Sequence, residues 1–190
     1  MLQFFSASTS IVNSKRAITE CLENALVDQP NLDCNLVIIY TAMGHNFKDL
    51  LTEARKLVPN ARIVGCTGAG IIGKEGPDES MKALAIMAIK GPKEEFALTG
   101  IKTIENMDPY DMGAQIAQEL KKTNPHTNMI HFLPSAFGLW PADKAIAGIE
   151  SVFGPDTPIF GAVSLDNMKA ISCFQFLDDQ IFEKGAVAIG

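Results

Sequence analysis

Asn60–Gly70 reads NARIVGCTGAG and Asp156–Asp166 reads DTPIFGAVSLD, each an apolar strand running into a turn of small or polar residues. Upstream of each lies a second matched pair, NLVIIYTAMG ending at Gly44 and NMIHFLPSAFG ending at Gly138. Each half therefore runs strand, T/S-A-x-G turn, amphipathic helix, strand, small-residue turn, and the offset of about 95 residues marks an internal repeat. The repeat predicts one layered α/β domain with a mixed sheet or sheets, built from two pseudo-symmetric βαβα-plus-hairpin halves over about 1–95 and 96–190. Corresponding turns should then come to related places.

Local signals fill in the elements around these turns. Ala17, Ile18, Cys21, Leu22, Ala25 and Leu26 recur at helical spacing, so a helix is expected over about 14–28, capped by Asn13 or Ser14. Leu36–Tyr40 is a continuous apolar run, as a strand buried on both faces requires, and the helix after it begins near Asn46 and is ended by Pro59. Lys82–Lys90 and Phe96–Ile104 are strand-like runs joined by GPKEE, too short for a helical crossover, which predicts an antiparallel hairpin. Asp108 and Pro109 open a third helix, strands are expected near 128–133 and 158–163, and a helix from about 141 to 153 is closed by Gly154 and Pro155. Ala170–Leu177 and Gly185–Gly190 read as two strands joined through DDQIFEK, a second hairpin. The closing GAVAIG has nothing after it to pair with, so a further domain or partner chain is expected to follow.

Composition bounds the function. A chain of 190 residues, 47% hydrophobic and 20% charged, is long enough for one core and short of the length at which cores divide. The net charge of -6, with 16 scattered Lys and Arg, gives no attraction to phosphate backbones, so nucleic acid is not an expected partner. The opening MLQFFSASTS lacks the basic start of a secretory signal and no run reaches membrane-spanning length, so no membrane partner is expected. Cys21, Cys34, Cys66 and Cys173 have no CxxC spacing, which points to reduced thiols in the cytoplasm and away from metal ligation.

Four groups of residues could carry chemistry. Gly68–Gly73, GAGIIG, matches the dinucleotide fingerprint formally, but KEGPDES follows where the fingerprint needs a helix, so no nucleotide cofactor is expected. Cys66 lies at a strand-to-turn junction where a thiol can be activated, with His45 or His131 as base; a cysteine-dependent transferase or hydrolase is the enzymatic alternative. Its repeat counterpart is Ala162, which argues for a small packing residue instead. Thr41 and Ser135 occupy matched places at strand C-termini, where open α/β sheets put ligands, and they can equally cap turn backbone. Ser164, Asp166 and Asn167 of SLDN set three polar groups after a buried strand, either for binding or for the tight turn that Asp and Asn favour.

At IVGCTGAG, IFGAVSLDN and the closing FEKGAVAIG, the chain resembles the FIST sensory domain, in its N-terminal part, over most of residues 1–190. The family's G-C-[ST]-x-[AG]-G segment is Gly65–Gly70 here, its P-[IL]-x-G-G-x-[AS]-x-[DN] turn is Pro158–Asn167, and its phenylalanine-rich segment before G-A-V-A is Phe174–Ile189. The double glycine of the second turn is Gly161–Ala162 in this chain, and the C-terminal FIST partner domain that usually follows is not present in the sequence. The resemblance implies a cytoplasmic, non-catalytic signal-transduction module that takes a small, amino-acid-like ligand and passes its state to an output signalling protein, with homo-oligomerisation left open. The expected ligand-binding set is Thr41, Gly65, Cys66, Thr67, Gly68, Gly70, Ser135, Ser164, Asp166 and Asn167, with no cofactor and no metal. Glycine amides would approach a carboxylate and Asp166 would face an ammonium group. A scaffold for protein contacts is the third reading, and it predicts no pocket.

Overall fold

The structure is a computed structural model that describes residues 1–137, 142–169 and 171–190. The closing Gly138 of SAFG, the expected helix start at 141 and the expected strand start at Ala170 lie outside the described residues.

The first half runs β1 (Gln3–Thr9), α1 (Ser14–Ala25), β2 (Leu36–Thr41), α2 (Phe47–Leu57), β3 (Arg62–Thr67), a small hairpin β4 (Ile71–Gly73) and β5 (Gly76–Asp78), then β6 (Leu84–Lys90). The second runs β7 (Leu98–Ile101), α3 (Pro109–Thr123), β8 (Ile130–Pro134), α4 (Ala142–Phe153), β9 (Ile159–Gly161), β10 (Phe174–Leu177), β11 (Gln180–Glu183) and β12 (Ala186–Ile189). The helix signals hold. Asn13, Asn46 and Asp108 each accept a backbone N–H of the first turn through their side chains, and Pro109 supplies a first residue with no N–H to satisfy.

Two stacked sheets form, with orders β1-β6-β2-β3-β10-β11 and β7-β12-β8-β9, beside the two-stranded β4–β5 sheet. Side-chain alternation shows how they stack. Val37 and Ile39 of β2 face the α1–α2 cluster, whereas Leu36 and Ile38 face Leu133 of β8 and Val187 and Ile189 of β12. On the smaller sheet, Ile130, Phe132, Ala186 and Ala188 face α3 and α4. The layers therefore read helices, sheet, sheet, helices, with one apolar core on each outer side and a third between the sheets. The order β1-β6-β2-β3 has the same connectivity as β7-β12-β8-β9, and each half joins one parallel pair, β2 with β3 and β8 with β9, to antiparallel neighbours.

Neither expected hairpin forms as read. β6 inserts between β1 and β2, antiparallel to both, while β7 belongs to the other sheet. The GPKEE link is too short for a helix, yet residues 91–97 suffice to step between stacked sheets, which lie roughly 10 Å apart. At the C-terminus, DDQIFEK is not a connection: Gln180–Glu183 is β11, which returns on β10 through Asp178–Asp179 with Asp178 at φ 53°. β12 then crosses to the smaller sheet and lies between β7 and β8, paired on both sides. The strand read as lacking a neighbour is thus an interior strand.

Candidate functional site

The parallel pairs β2–β3 and β8–β9 set the site. In the first ladder Thr41 is the partner of Thr67, and in the second an isolated parallel bridge joins Ser135 to Ser164. All four hydroxyl residues are fully buried. Gly65 sits opposite Ile39 and Gly161 opposite Phe132, and a Cβ at either glycine would overlap the carbonyl oxygen of its partner. Counted from these glycines, the hydroxyl of β3 comes after one intervening residue, Cys66, and that of the second half after two, Ala162 and Val163. Ser164 therefore corresponds to Thr67 and not to Gly68, because both strands of the second ladder carry one extra residue, an insertion that only the pairing register reveals.

These hydroxyls are spent on the protein. Thr67 Oγ1 accepts the N–H of Phe174 at 3.0 Å, Thr41 Oγ1 donates to the Ala42 carbonyl at 3.1 Å, and Ser164 Oγ donates to the Pro134 carbonyl at 3.0 Å. Ser135 Oγ lies 3.0 Å from Cys173 Sγ and accepts the Phe137 N–H at 2.9 Å. Gln175, fully buried in β10, donates through its side-chain amide to Ser164 Oγ and accepts the Gly185 N–H at 2.6 Å. Sequence reading missed Gln175 and Cys173, although a polar residue inside the apolar run FQFL was a signal that could have found Gln175. Buried polar atoms need partners, and here they find them along the seam where the two halves meet.

The SLDN turn docks onto both small-residue turns of the first half. Asn167 Oδ1 accepts the Met43 N–H and its Nδ2 donates to the Ala69 carbonyl, each at 3.3 Å, and the Leu165 N–H donates to the Thr67 carbonyl at 3.1 Å. Asn167 and Met168 both sit in the left-handed region, at φ 55° and 65°. Asp166 is 4% exposed, and its Oδ2 accepts the N–H groups of Ile171 and Ser172 at 2.6 and 2.9 Å. The structure thus brings Thr41, Thr67, Gly68, Ser164 and Asn167 into one knot of three turns, with Ser135 beside it on the Ser164 bridge. Gly68 donates its N–H to the Thr41 carbonyl at 2.9 Å.

Beside this knot opens a crevice of about 570 Å³, walled by residues 69–72 of the glycine turn, Pro77 and Glu79 of the β4–β5 hairpin, and Asn167 and Met168. Of the expected binding residues, Gly70 and Asn167 reach its wall, and Pro77, Glu79 and Met168 are wall residues that the sequence did not single out. The GAGIIG turn runs into β4, so the glycines open a strand and not a helix.

The Cys66 thiol and the imidazoles of His45 and His131 are buried. Burial pushes the Cys66 thiol up to about 12, and Cys173 nearby adds to the shift. His45 Nε2 donates to the Lys82 carbonyl at 2.9 Å and its Nδ1 accepts from Ser14 Oγ at 3.1 Å. His131 Nε2 pairs with the Tyr40 hydroxyl at 3.1 Å, and burial lowers the imidazole to about 4. Among the described residues no group of three His, Cys, Asp or Glu is placed to hold a metal ion, and no helix is long and apolar enough to cross a membrane.

A domain whose helices and stacked sheets layer in this way, with a buried polar seam beside an open crevice, is of the layered α/β class. Within that class the chain belongs to the FIST family: the FIST N domain matches residues 35–190, leaving β1 and α1 outside the match. FIST domains are sensory domains of signalling proteins. No curated protein matches the chain.

Proposed function

We propose that this chain is a ligand-binding sensor of the cytoplasm that takes a small, amino-acid-like molecule in the crevice between the glycine turn and SLDN. One observation carries the reading: the crevice is walled by turns from both halves, tied together by the two hydrogen bonds of Asn167 to Met43 and Ala69. A ligand held there would touch both halves at once, and a change in their separation is what a sensor would pass to an output signalling protein.

The wall offers a division of labour. Glu79 supplies a carboxylate for an ammonium group, and the backbone at Ala69 and Gly70 can approach a ligand carboxylate because Gly70 has no side chain. Asp166 acts behind the wall, setting the 166–172 loop through the amides of Ile171 and Ser172. Thr41, Ser135 and Ser164 shape the turns in the same indirect way. A cysteine-dependent enzyme is disfavoured by the buried, proton-retaining Cys66 and by histidines already committed to other partners.

A thermal-shift screen of amino acids and small organic acids tests the reading. A ligand at about a hundred times its dissociation constant adds roughly 2.7 kcal/mol and raises the melting temperature by several degrees. Glu79→Gln should weaken a genuine hit by roughly ten- to a hundredfold, the worth of a charge-assisted contact. Hits unaffected by Glu79→Gln and Asn167→Ala would place the ligand elsewhere, and an empty screen would favour the scaffold reading.

A further inference from the structure

Two facing sheets normally fill the space between them with interdigitating side chains at crystal-like density. Here the larger sheet reaches beyond the smaller one on its β1–β6 side, and the layer does not close. Strand pairing aligns Phe4, Ile89 and Leu36 in one row on the inner face of the larger sheet. Opposite, Ile189, His131 and Phe160 form a row on the inner face of the smaller one. A cleft of about 200 Å³ lies between the rows.

Three features of the cleft define what would fit it. Its walls are apolar and partly aromatic, and Phe4, Met87, Met129 and Phe160 stand at its rim 61%, 37%, 52% and 51% exposed, a concentration of large apolar side chains facing water. The Phe160 ring stacks on His131 with centroids 4.4 Å apart and planes 9° from parallel, a ready-made surface for a flat molecule. The inner end is closed by the Tyr40–His131 hydrogen bond, which joins the two sheets at 3.1 Å. Glu95, at the exposed rim, is the charged side chain of the lining, so a charged ligand would lose its water without gaining a counter-ion.

We propose that the cleft between the two sheets binds a neutral, flat, largely apolar molecule of one or two rings. The size agrees with the rule that an apolar cavity of about 150 Å³ stays dry and takes up benzene. The site is separate from the turn crevice: the two share no wall residue. Ring stacking against Phe160 and the desolvated contacts of Leu36, Ile38 and Ile89 supply the attraction.

Quinoline, a flat two-ring molecule that is neutral at pH 7.5, is the probe, with benzoate as its charged counterpart of similar flatness. Titration followed by methyl NMR should show saturable binding, shifts confined to Leu2, Leu36, Ile38, Met87, Ile89, Met129 and Ile189, and at least tenfold weaker binding of benzoate. Met87→Trp fills the cleft from its exposed rim and should weaken quinoline at least tenfold; Phe160→Ala removes the stacking wall and should weaken it severalfold, which keeps the test decisive if one variant folds poorly. Glu79→Gln should leave quinoline binding unchanged whether or not the turn crevice binds an amino acid. No saturation up to millimolar quinoline, equal affinity in both cleft variants, or shifts centred on other methyl groups would overturn the proposal.

Discussion

The side-chain oxygen of Gln175 accepts the backbone N–H of Gly185 at 2.6 Å, and through this bond the larger sheet, which contains β10, is fastened to the smaller sheet at the entry to β12. Gln175 also donates to Ser164, so a single fully buried amide serves strand, bridge and crossover at the seam.

Gln175→Leu keeps the volume and removes the polar end. The Gly185 N–H is then buried without an acceptor, a loss that typically costs about 1–3 kcal/mol. Urea denaturation should show a lower midpoint with an unchanged slope, because the exposed surface on unfolding stays the same. A midpoint equal to that of the parent protein would show that water or a neighbouring group replaces the amide.

Cys66 should resist modification. With its thiol pushed up to about 12 by burial, roughly one molecule in ten thousand carries a thiolate at pH 8. Iodoacetamide at that pH should leave Cys66 unlabelled by peptide mass spectrometry until denaturant is added. Rapid native labelling would restore the enzymatic reading.

The acid side of the stability profile should carry the mark of His131. Its folded value, about 4, lies below the ordinary 6.5, so the unfolded chain binds the proton more readily between those limits. Stability is fully present above about pH 6.5 and is lost as pH falls towards 4, by roughly 3 kcal/mol if the whole shift is realised. His131→Phe keeps an aromatic ring between Ile189 and Phe160 and should flatten this limb relative to the parent protein. Parallel profiles for the two proteins would mean that His131 keeps its ordinary affinity for protons.

Much of this was legible in the chain because it is local. Cap residues Asn13, Asn46 and Asp108 satisfy amides three or fewer residues away, and the apolar periodicity of α1 or the unbroken run of β2 states which faces are buried. The sequence also singled out Thr41, Thr67, Ser135 and Ser164, but its repeat alignment set Ser164 against Gly68, and it took the strand register to pair Thr41 with Thr67 and Ser135 with Ser164. What the letters could not convey was which strand would neighbour which, since a short link such as GPKEE permits a hairpin or a step between sheets, and only the summed burial of β6 against both β1 and β2 selects the second.

By itself, then, the sequence determined most of the elements, though not β4, β5 or β11, their amphipathic faces and the membership of the chain in a sensory family, all properties that follow from residues close together or from motifs read in order. Tertiary structure alone decided the use of each polar side chain. Asp166 turns inward to the amides of Ile171 and Ser172, Asn167 spans Met43 and Ala69, and His131 meets Tyr40 across the sheets. A hydroxyl, carboxylate or imidazole is the same chemical group at the wall of a crevice or sealed in a seam, and its role follows from which partners arrive to satisfy it, from Ile171, five positions along from Asp166, to Met43, 124 positions before Asn167, a matter settled by packing two sheets together.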